Sequence, residues 1–244
     1  MSVESARPAP QPKPKRFYER AKVGPVEGGH GVLLDGRPVR TPQKALLAVA
    51  HEALASELAT EWEAQQSHID NTTMPLTRIA NTAIDGVARE RQSVIDATAA
   101  YAASDLICYR AETPEGLARR QGEIWDPIVR WAETATGVRL ILTAGIVAVE
   151  QSSELIPAVA RQIADQDDLA LAALAMTTTM TGSALIALAL SRRAIDADTA
   201  WFAAHVDEDW QIAHWGEDDE AARRRAGLNR DFLAAARVLE LRRA

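Results

Sequence analysis

The sequence contains a single cysteine and few phenylalanine or tyrosine residues. Cys108 excludes an internal disulfide bond and any metal site made only of cysteines, and we expect its thiol to be a small buried apolar group. The chain has three Phe and three Tyr among its 244 residues, and alanine is abundant in several blocks. This composition favours helices over sheets.

The common phosphate, dinucleotide, hydrolase and zinc motifs are also missing. The chain has no GxxxxGK[ST], GxGxxG, GxSxG or HExxH sequence. Gly28-Gly29-His30-Gly31 lies between predicted strands, and we interpret it as a turn. We predict no cofactor, no metal and no catalytic residue.

A basic surface for nucleic acid is absent as well. The net charge is -7 and the calculated pI is about 5.3, and no basic stripe with interleaved aromatic residues occurs. The overall field therefore repels phosphate backbones, which argues against a nucleic-acid partner.

Two segments bear on targeting and membrane insertion. Residues 1–16 contain four prolines and no apolar run, so they resemble neither a secretory signal nor a transit peptide, and we expect a cytoplasmic protein. The segment 169–191 carries no charge, and a helix of this length could span a bilayer. Threonines, Gly182 and Ser183 crowd its centre, so we predict a helix buried on all sides and no stable membrane insertion.

The chain is long enough for a substantial hydrophobic core, and its pattern changes near residue 90. Short apolar runs with turn signals precede that point, and helical periodicity follows it. We predict an α+β protein in which a small β-rich N-terminal domain precedes a larger helical domain. The predicted divisions are a disordered tail over 1–15, a β-rich domain with flanking helices over 16–90, and a helical domain over 91–244.

Local signals predict the elements of the first region. The segment FYERAKV ends at Gly24-Pro25, and Asp35-Gly36 has the spacing of a two-residue hairpin turn. Residues 46–50 are a further candidate strand. A helix is predicted from His51 to about Gln65, and Pro75 begins a second one.

Helix-start signals recur in the second region. Thr113-Pro114-Glu115 predicts a capped helix, and Asp126-Pro127 predicts a kink or break near Trp125. Two apolar runs within 138–150 either form a small hairpin or simply extend, and Ser152 caps the next helix.

The last helices are predicted from caps at both ends. Asp196 caps a helix that runs to Gly216, where glycine takes the left-handed conformation. A final helix covers about 217–242 and ends in Arg242-Arg243, whose charges suit a helix C-terminus.

Residues 207–220 form the richest segment, with seven acidic side chains, no Lys or Arg, and two tryptophans. Helical spacing places Glu208 in an apolar stripe, so its carboxylate must be paired or functional. The stripe is made of Trp201, His205, Glu208, Ile212 and Trp215.

Three interpretations of this segment stay open. A metal or acid–base site would use His205 with Glu208, or Asp209 with His214. A structural interpretation pairs Glu208 with a buried arginine. A recognition surface would combine acids and tryptophans to bind a basic, partly apolar patch of another protein.

Several residues outside that segment have mainly structural interpretations. Trp62, Trp125 and Trp131 are predicted core or interdomain residues, because each lies at a helical apolar position. Arg78 and Asn81 stand among apolar residues, and we expect them to satisfy backbone groups.

Five sequence strings, in this order, resemble a known family. They are KRFYERAKV, VLLDGRPVRTP, EWEAQQSHIDNTTMPLTRIANTAID, SDLICYRAETPEGLARRQGEIWDPIVRWAE and DEDWQIAHWGEDDE. Together they are similar to the assembly chaperones of the ATP synthase alpha subunit, known from mitochondria and alphaproteobacteria. The resemblance covers about Lys15 to the C-terminus. One departure is Glu63, where the family pattern has Asp.

This resemblance implies a non-catalytic chaperone. It would bind the free alpha subunit of the F-type ATP synthase, cover the surface meant for the beta subunit, and prevent alpha from associating with itself. We expect a bacterial, cytoplasmic monomer, with mitochondrial matrix relatives. The alternative is a small metal-dependent hydrolase using His205, Glu208 and His214. The family's acidic tryptophan motif falls on Glu208, Asp209, Trp210, Gln211, Trp215, Gly216 and Glu217.

Overall fold

The structure, a computed structural model, describes residues 13–145 and 147–241. It confirms the α+β class, with an N-terminal antiparallel sheet followed by a larger helical part. The strands are β1 (Ala21–Val26), β2 (Gly29–Leu34), β3 (Arg37–Pro38), β4 (Ala48–Val49), β5 (Tyr109–Arg110) and β6 (Thr143–Ala144). The helices are α1 (Glu52–Glu63), α2 (Pro75–Thr82), α3 (Ala88–Ala100), α4 (Glu115–Thr136), α5 (Leu155–Ile163), α6 (Asp168–Thr181), α7 (Ala184–Ser191), α8 (Ala197–Ala204), α9 (Val206–Trp215) and α10 (Asp219–Leu241).

The sheet is organised around β2, which pairs with β1, β3 and β4. The predicted hairpin turn is confirmed, because Asp35 and Gly36 both have positive φ angles, of 48° and 82°. The predicted stop at Gly24-Pro25 is wrong, since β1 continues to Val26. Proline is tolerated there because β1 is an edge strand, where the missing N–H breaks no ladder hydrogen bond.

The segment before β1 is held against the loop that follows α1. Ile69 N–H donates to the Pro14 carbonyl at 2.8 Å, and Lys13 forms an ion pair with Asp70. Lys15 and His68 also form an isolated antiparallel β-bridge through their backbones. The predicted disordered tail is therefore wrong for residues 13–15, and its remainder, 1–12, lies outside the described residues.

Helices α1 and α2 are joined by a carboxylate cap. Glu61 accepts hydrogen bonds from the N–H groups of Leu76 and Thr77 at 2.7 and 2.8 Å, which satisfies free donors at the start of α2. Burial raises the pKa of the Glu61 carboxyl. Pro75 begins α2 as predicted.

Two ion pairs connect the N-terminal helices to the last helix. Arg78 of α2 contacts Asp231 at 2.6 Å, and Arg237 contacts Glu57 of α1 at 2.6 Å. Helices α10 and α2 also lie against each other along part of their length. The division near residue 90 stays a prediction, and that residue lies inside α3.

Helix α4 is continuous through Pro127, so the break considered near Trp125 does not occur, and a kink there stays a prediction. An interior proline removes one backbone hydrogen bond and crowds the carbonyl four residues earlier, but the buried side chains around Pro127 keep the helix against its neighbours. The predicted cap at Thr113 is also wrong. Pro114 occupies the N-cap position, and no side chain caps the helix there.

The uncharged segment 169–191 is buried as predicted, but it is two helices instead of one. Gly182, with φ of 67°, ends α6 in the left-handed conformation. Ser183 then caps α7, accepting a hydrogen bond from the Ile186 N–H at 2.9 Å. Among the described residues, no helix is both long and apolar enough to cross a membrane.

The apolar runs between α4 and α5 do not form the hairpin considered above. Thr143–Ala144 pairs in parallel with Tyr109–Arg110, and Gln151 exchanges hydrogen bonds with the backbone of Ile141. Ser152 accepts from the Glu154 N–H at 3.3 Å, but Glu154 itself is the N-cap of α5. The structure therefore contradicts the predicted cap at Ser152.

Candidate functional site

The acidic tryptophan segment lies on α9 and on the first turn of α10. The single helix predicted from Asp196 to Gly216 is wrong, because His205 leaves helical geometry with φ of -120° and ψ of 19°. The break separates α8 from α9, so the predicted stripe through Trp201 and Trp215 is not continuous. The capping role of Asp196 and the end of the helix at Gly216 are confirmed, but Gly216 has φ of 85° and ψ of 172° and does not take the predicted left-handed helical conformation.

Helix α9 is fixed to α4 by a close aromatic contact and a hydrogen bond. A Cβ atom at Gly116 would lie 2.6 Å from Cη2 of Trp210, so the indole packs directly on the α4 backbone. Buried Gln121 donates to Asp207 at 2.6 Å and accepts from the Ala111 N–H at 2.7 Å. The Trp210 side chain therefore helps to hold α9 against α4.

Gly116 gives a direct test of this packing. Gly116→Ala is expected to lower the free energy of unfolding by about 1 kcal/mol, because the added methyl group overlaps the Trp210 ring. On the same helix, Gly122→Ala is the matched control, since its nearest neighbour would be Asp126 Oδ2 at 3.7 Å. That control is expected to stabilise by about 0.5–1 kcal/mol. Urea denaturation measures both, and equal effects would contradict the packing argument.

Helix α9 is also tied to α10 by one arginine. Arg225 makes a close ion pair with Asp209, and its guanidinium lies 3.6 Å from Glu208. Only 17% of the Arg225 side chain and 18% of the Asp209 side chain are exposed, against 41% for Glu208. Glu208 is therefore paired with an arginine, as the structural interpretation proposed, but it also remains accessible.

The ring nitrogens of His205 and His214 each lie close to the backbone carbonyl four residues earlier in the chain. His205 Nδ1 lies 2.8 Å from the Trp201 carbonyl, and His214 Nδ1 lies 2.7 Å from the Trp210 carbonyl. His214 also stacks on Trp210, with ring centroids 4.2 Å apart. Within residues 13–145 and 147–241, no group of three His, Cys, Asp or Glu side chains could hold a metal ion. The metal interpretation receives no support from this arrangement.

The outer side of the segment is open to solvent. Trp215 is 78% exposed, and beside it Gly216 and Glu217 form the turn into α10. A shallow depression of about 320 Å³ is lined by this turn and by the outer face of α9. We call this region the acid–indole surface, and define it as Glu208, Gln211, Trp215, Gly216, Glu217 and Asp218.

The acids of this surface suit the start of a helix. Asp218 accepts hydrogen bonds from the N–H groups of Glu220 and Ala221, both at 3.0 Å. Asp219 and Glu220 lie in the first turn of α10, where the helix dipole stabilises negative charge. The charge density therefore needs no metal ion to be tolerated.

The other singled-out residues lie away from this surface. Trp62 is half-buried beside Tyr18, with ring centroids 6.0 Å apart, and Trp125 is fully buried. Arg78 pairs with Asp231, and Asn81 Oδ1 is buried with no hydrogen-bond partner among the described residues. Neither side chain bonds a backbone group there, so the expectation for Arg78 and Asn81 was wrong.

Sequence reasoning missed Arg225, Gly116 and Gln121. Arg225 stands in a run of three arginines, and nothing in the sequence separates it from its neighbours. Gly116 carries a weak signal, because an isolated glycine within a helical pattern can have a packing reason. The pairing of Gln121 with Asp207 joins residues far apart in the chain, and no local pattern predicts it.

The fold and this site define an α+β protein with a candidate protein-recognition surface and no recognisable metal centre in the described residues. A family model described as ATP12 chaperone protein matches residues 15–133. The crystal structure of Atp12 from Paracoccus denitrificans is 39% identical, covering 93% of this chain and 98% of that one, with a TM-score of 0.86. The chain belongs to the ATP12 chaperone family.

Two further proteins are similar to this chain over most of its length. A solved structure from Agrobacterium tumefaciens is 46% identical, covers 93% of this chain and 86% of that one, and has a TM-score of 0.88. The mitochondrial protein atp12 of Schizosaccharomyces pombe is 25% identical over 232 residues, which are 90% of this chain and 80% of that protein. The family match ends at residue 133, before α8, α9 and α10, so it does not test the acid–indole surface.

Proposed function

We propose that this protein binds the free alpha subunit of the F-type ATP synthase and covers the surface that the beta subunit later occupies. Membership of the ATP12 chaperone family supports a role in ATP synthase assembly. Binding of alpha in particular rests on the resemblance of the sequence strings described above. By covering that surface, the protein prevents alpha from associating with itself, without catalysis and in the bacterial cytoplasm.

The observation that carries the assignment of the contact surface is Trp215. An indole that is 78% exposed at the end of a helix buries a large apolar area when a partner covers it. Tryptophan is among the residues that contribute most at protein interfaces. Glu217, directly beside it, has no ion-pair partner among the described residues and is free to select a basic group of the client.

The residues of the motif divide into two roles under this proposal. Trp215, Gln211, Gly216 and Glu217 face solvent and contact the client. Asp209 and Trp210 hold α9 against α10 and α4 and so position that surface. Glu208 has both roles, since its carboxylate neighbours Arg225 and is also accessible to a client. A polar rim around one apolar anchor suits a chaperone that must later release its client.

Biolayer interferometry with purified alpha subunit and the intact chaperone measures the binding affinity and tests the proposal. Trp215→Ala and Glu217→Lys are each expected to weaken binding at least tenfold, and the effect of Glu217→Lys is expected to shrink at high salt. Because Asp209 is a partner of Arg225, its replacement would also disturb the fold, so it is the weaker test. Thermal unfolding should confirm that both variants remain folded.

Matched controls are available on other faces. Glu27→Lys, Asp96→Lys and Glu150→Lys reverse exposed acids outside the surface, and Tyr101→Ala removes an exposed aromatic side chain. All four are expected to bind alpha within about twofold of the original protein, as ordinary surface substitutions do. If Trp215→Ala and Glu217→Lys bound as these controls do, the acid–indole surface would not be the contact.

A further inference from the structure

The N-terminal region carries the opposite charge to the rest of the protein. Residues 13–50 contain eight Lys or Arg and three Asp or Glu side chains, a net charge of +5, although the whole chain has a net charge of -7. A charge of this sign, concentrated on one small sheet, gives that region its own local field. It therefore attracts a different partner group from the one attracted by the acid–indole surface.

A groove of about 520 Å³ lies within this basic region. Its apolar part is formed by Phe17, Tyr18, Leu34, Pro38, Val39 and Trp62, and its charged part by Asp35, Arg37 and Arg40. Phe17 is 73% exposed, although its ring makes an edge-to-face contact with Tyr18, with ring centroids 5.4 Å apart. We name this feature the Phe17 groove.

Phe17 belongs to a firmly held segment. The guanidinium of the preceding residue, Arg16, donates to the carbonyl oxygens of Tyr18 at 3.0 Å and Glu19 at 2.7 Å. The Arg16 N–H also donates to the Ser67 carbonyl at 3.0 Å. The backbone that carries the exposed ring is therefore held in place, which reduces the entropy that a partner's binding would cost.

The cations of the groove are free for a partner. Arg37 and Arg40 are exposed and have no ion-pair partner among the described residues. Arg40 makes one hydrogen bond, to the Lys44 carbonyl at 2.8 Å, which leaves further donors available. Guanidinium groups of this kind bind carboxylates through paired hydrogen bonds.

The one acid in the groove, Asp35, is ionised and offsets part of the positive charge, so Asp35, Arg37 and Arg40 together leave one net positive charge. The Asp35 carboxylate already accepts from the N–H groups of Glu19 and Arg20, at 3.0 and 2.9 Å. These backbone hydrogen bonds hold the pKa of the Asp35 carboxyl below its ordinary value. Trp62 adds an unsatisfied hydrogen-bond donor, because its Nε1 is buried and has no acceptor among the described residues.

We propose that the Phe17 groove is a second docking surface, which binds an acidic segment of a protein partner through one apolar side chain and neighbouring carboxylates. The apolar side chain packs between Phe17 and Trp62, and the carboxylates pair with Arg37 and Arg40. This surface goes beyond the proposed capture of alpha through the acid–indole surface, and the two differ in the sign of the charge they select.

Selection from a random peptide library on the immobilised full-length protein tests this proposal. Peptides of about a dozen residues that bind are expected to place Asp or Glu beside an aromatic or aliphatic side chain. Fluorescence anisotropy should then show that Arg37→Glu/Arg40→Glu weakens these peptides at least tenfold, and that Phe17→Ala weakens them about threefold or more. Replacing the peptide acids by lysine should abolish binding.

Arg89→Glu/Arg119→Glu is the matched control, since both arginines are exposed elsewhere on the protein. The proposal would be overturned if both double variants weakened peptide binding equally. It would also be overturned if the selection yielded no peptide whose binding depends on Arg37 and Arg40. Self-association in sedimentation that disappears in Arg37→Glu/Arg40→Glu would also overturn it, because the occupant would then be a second copy. Trp215→Ala should leave peptide binding unchanged, which separates this proposal from the capture of alpha.

Discussion

Replacing Trp125 by alanine is expected to lower the free energy of unfolding by about 3–5 kcal/mol, the usual range when a large aromatic side chain is removed from a core. Trp125 is fully buried, and its Nε1 donates to the Ala203 carbonyl of α8 at 2.7 Å. The Arg110 guanidinium lies 5.1 Å from its ring. The substitution therefore opens a cavity and leaves a buried carbonyl unpaired. Urea denaturation followed by circular dichroism measures the loss.

Two variants separate the causes of this effect. Trp125→Phe keeps most of the ring but leaves the Ala203 carbonyl without its donor, so a loss of about 1–3 kcal/mol is expected. Trp131→Ala, on the same helix, removes a half-buried indole and should cost less than Trp125→Ala. Equal losses for the two alanine variants would show that Trp125 does not have the special role assigned to it. Because α8 leads directly into α9, loosening Trp125 should also weaken client binding.

The second large effect is a dependence of stability on pH that comes from Asp105. Its side chain is completely buried, where it accepts from Ser183 Oγ at 2.5 Å and from the Leu185 N–H at 3.1 Å. Burial raises the pKa of the Asp105 carboxyl to about 6, from an ordinary value of 3.8. The folded state therefore binds this proton more tightly than the unfolded state does. The stabilising contribution is fully present below about pH 4 and is lost as the pH rises through 6.

This difference in pKa corresponds to about 3 kcal/mol, because each pKa unit is worth about 1.4 kcal/mol. Between pH 4.5 and 7.5, the original protein should lose more stability than Asp105→Asn, by on the order of 2–3 kcal/mol. Asp196→Asn is the control, since the exposed Asp196 also caps a helix but has a lowered pKa and stays ionised across this window. Parallel stability curves for the original protein and Asp105→Asn would refute the prediction.

Several elements could be predicted from short stretches of sequence because local chemistry decides them. Asp35-Gly36 makes the hairpin turn, Pro75 begins α2, and Asp196 caps α8. In each case the relevant atoms belong to residues within a few positions of each other, so tertiary contacts are not needed. The buried, uncharged character of 169–191 follows in the same way from composition.

The errors occurred where a local signal competed with packing. Asp126-Pro127 predicts a break, yet α4 continues because Trp125, Ile128 and Val129 are buried against neighbouring elements. Conversely, the periodicity of 197–216 predicts one helix, but the chain turns at His205 so that α9 reaches α4. The burial gained by packing outweighs a weak local preference in both cases.

The candidate site shows the same division. The sequence identified the acidic tryptophan segment and its membership in a recognisable family, because both depend on residues adjacent in the chain. It did not distinguish Trp210, which is packed on Gly116, from Trp215, which is open to solvent. Nor did it identify Arg225 as the partner of Asp209.

By itself, the sequence determined the α+β class, the helix-rich C-terminal part and the charge of each region, since these follow from composition and local periodicity. Only the tertiary structure decided which acids are neutralised by arginine, which indole is exposed, and that the basic N-terminal residues surround an apolar groove. The physical reason is that exposure and pairing depend on which distant segments meet, and the free energy of that meeting comes from buried area and charge across the whole fold.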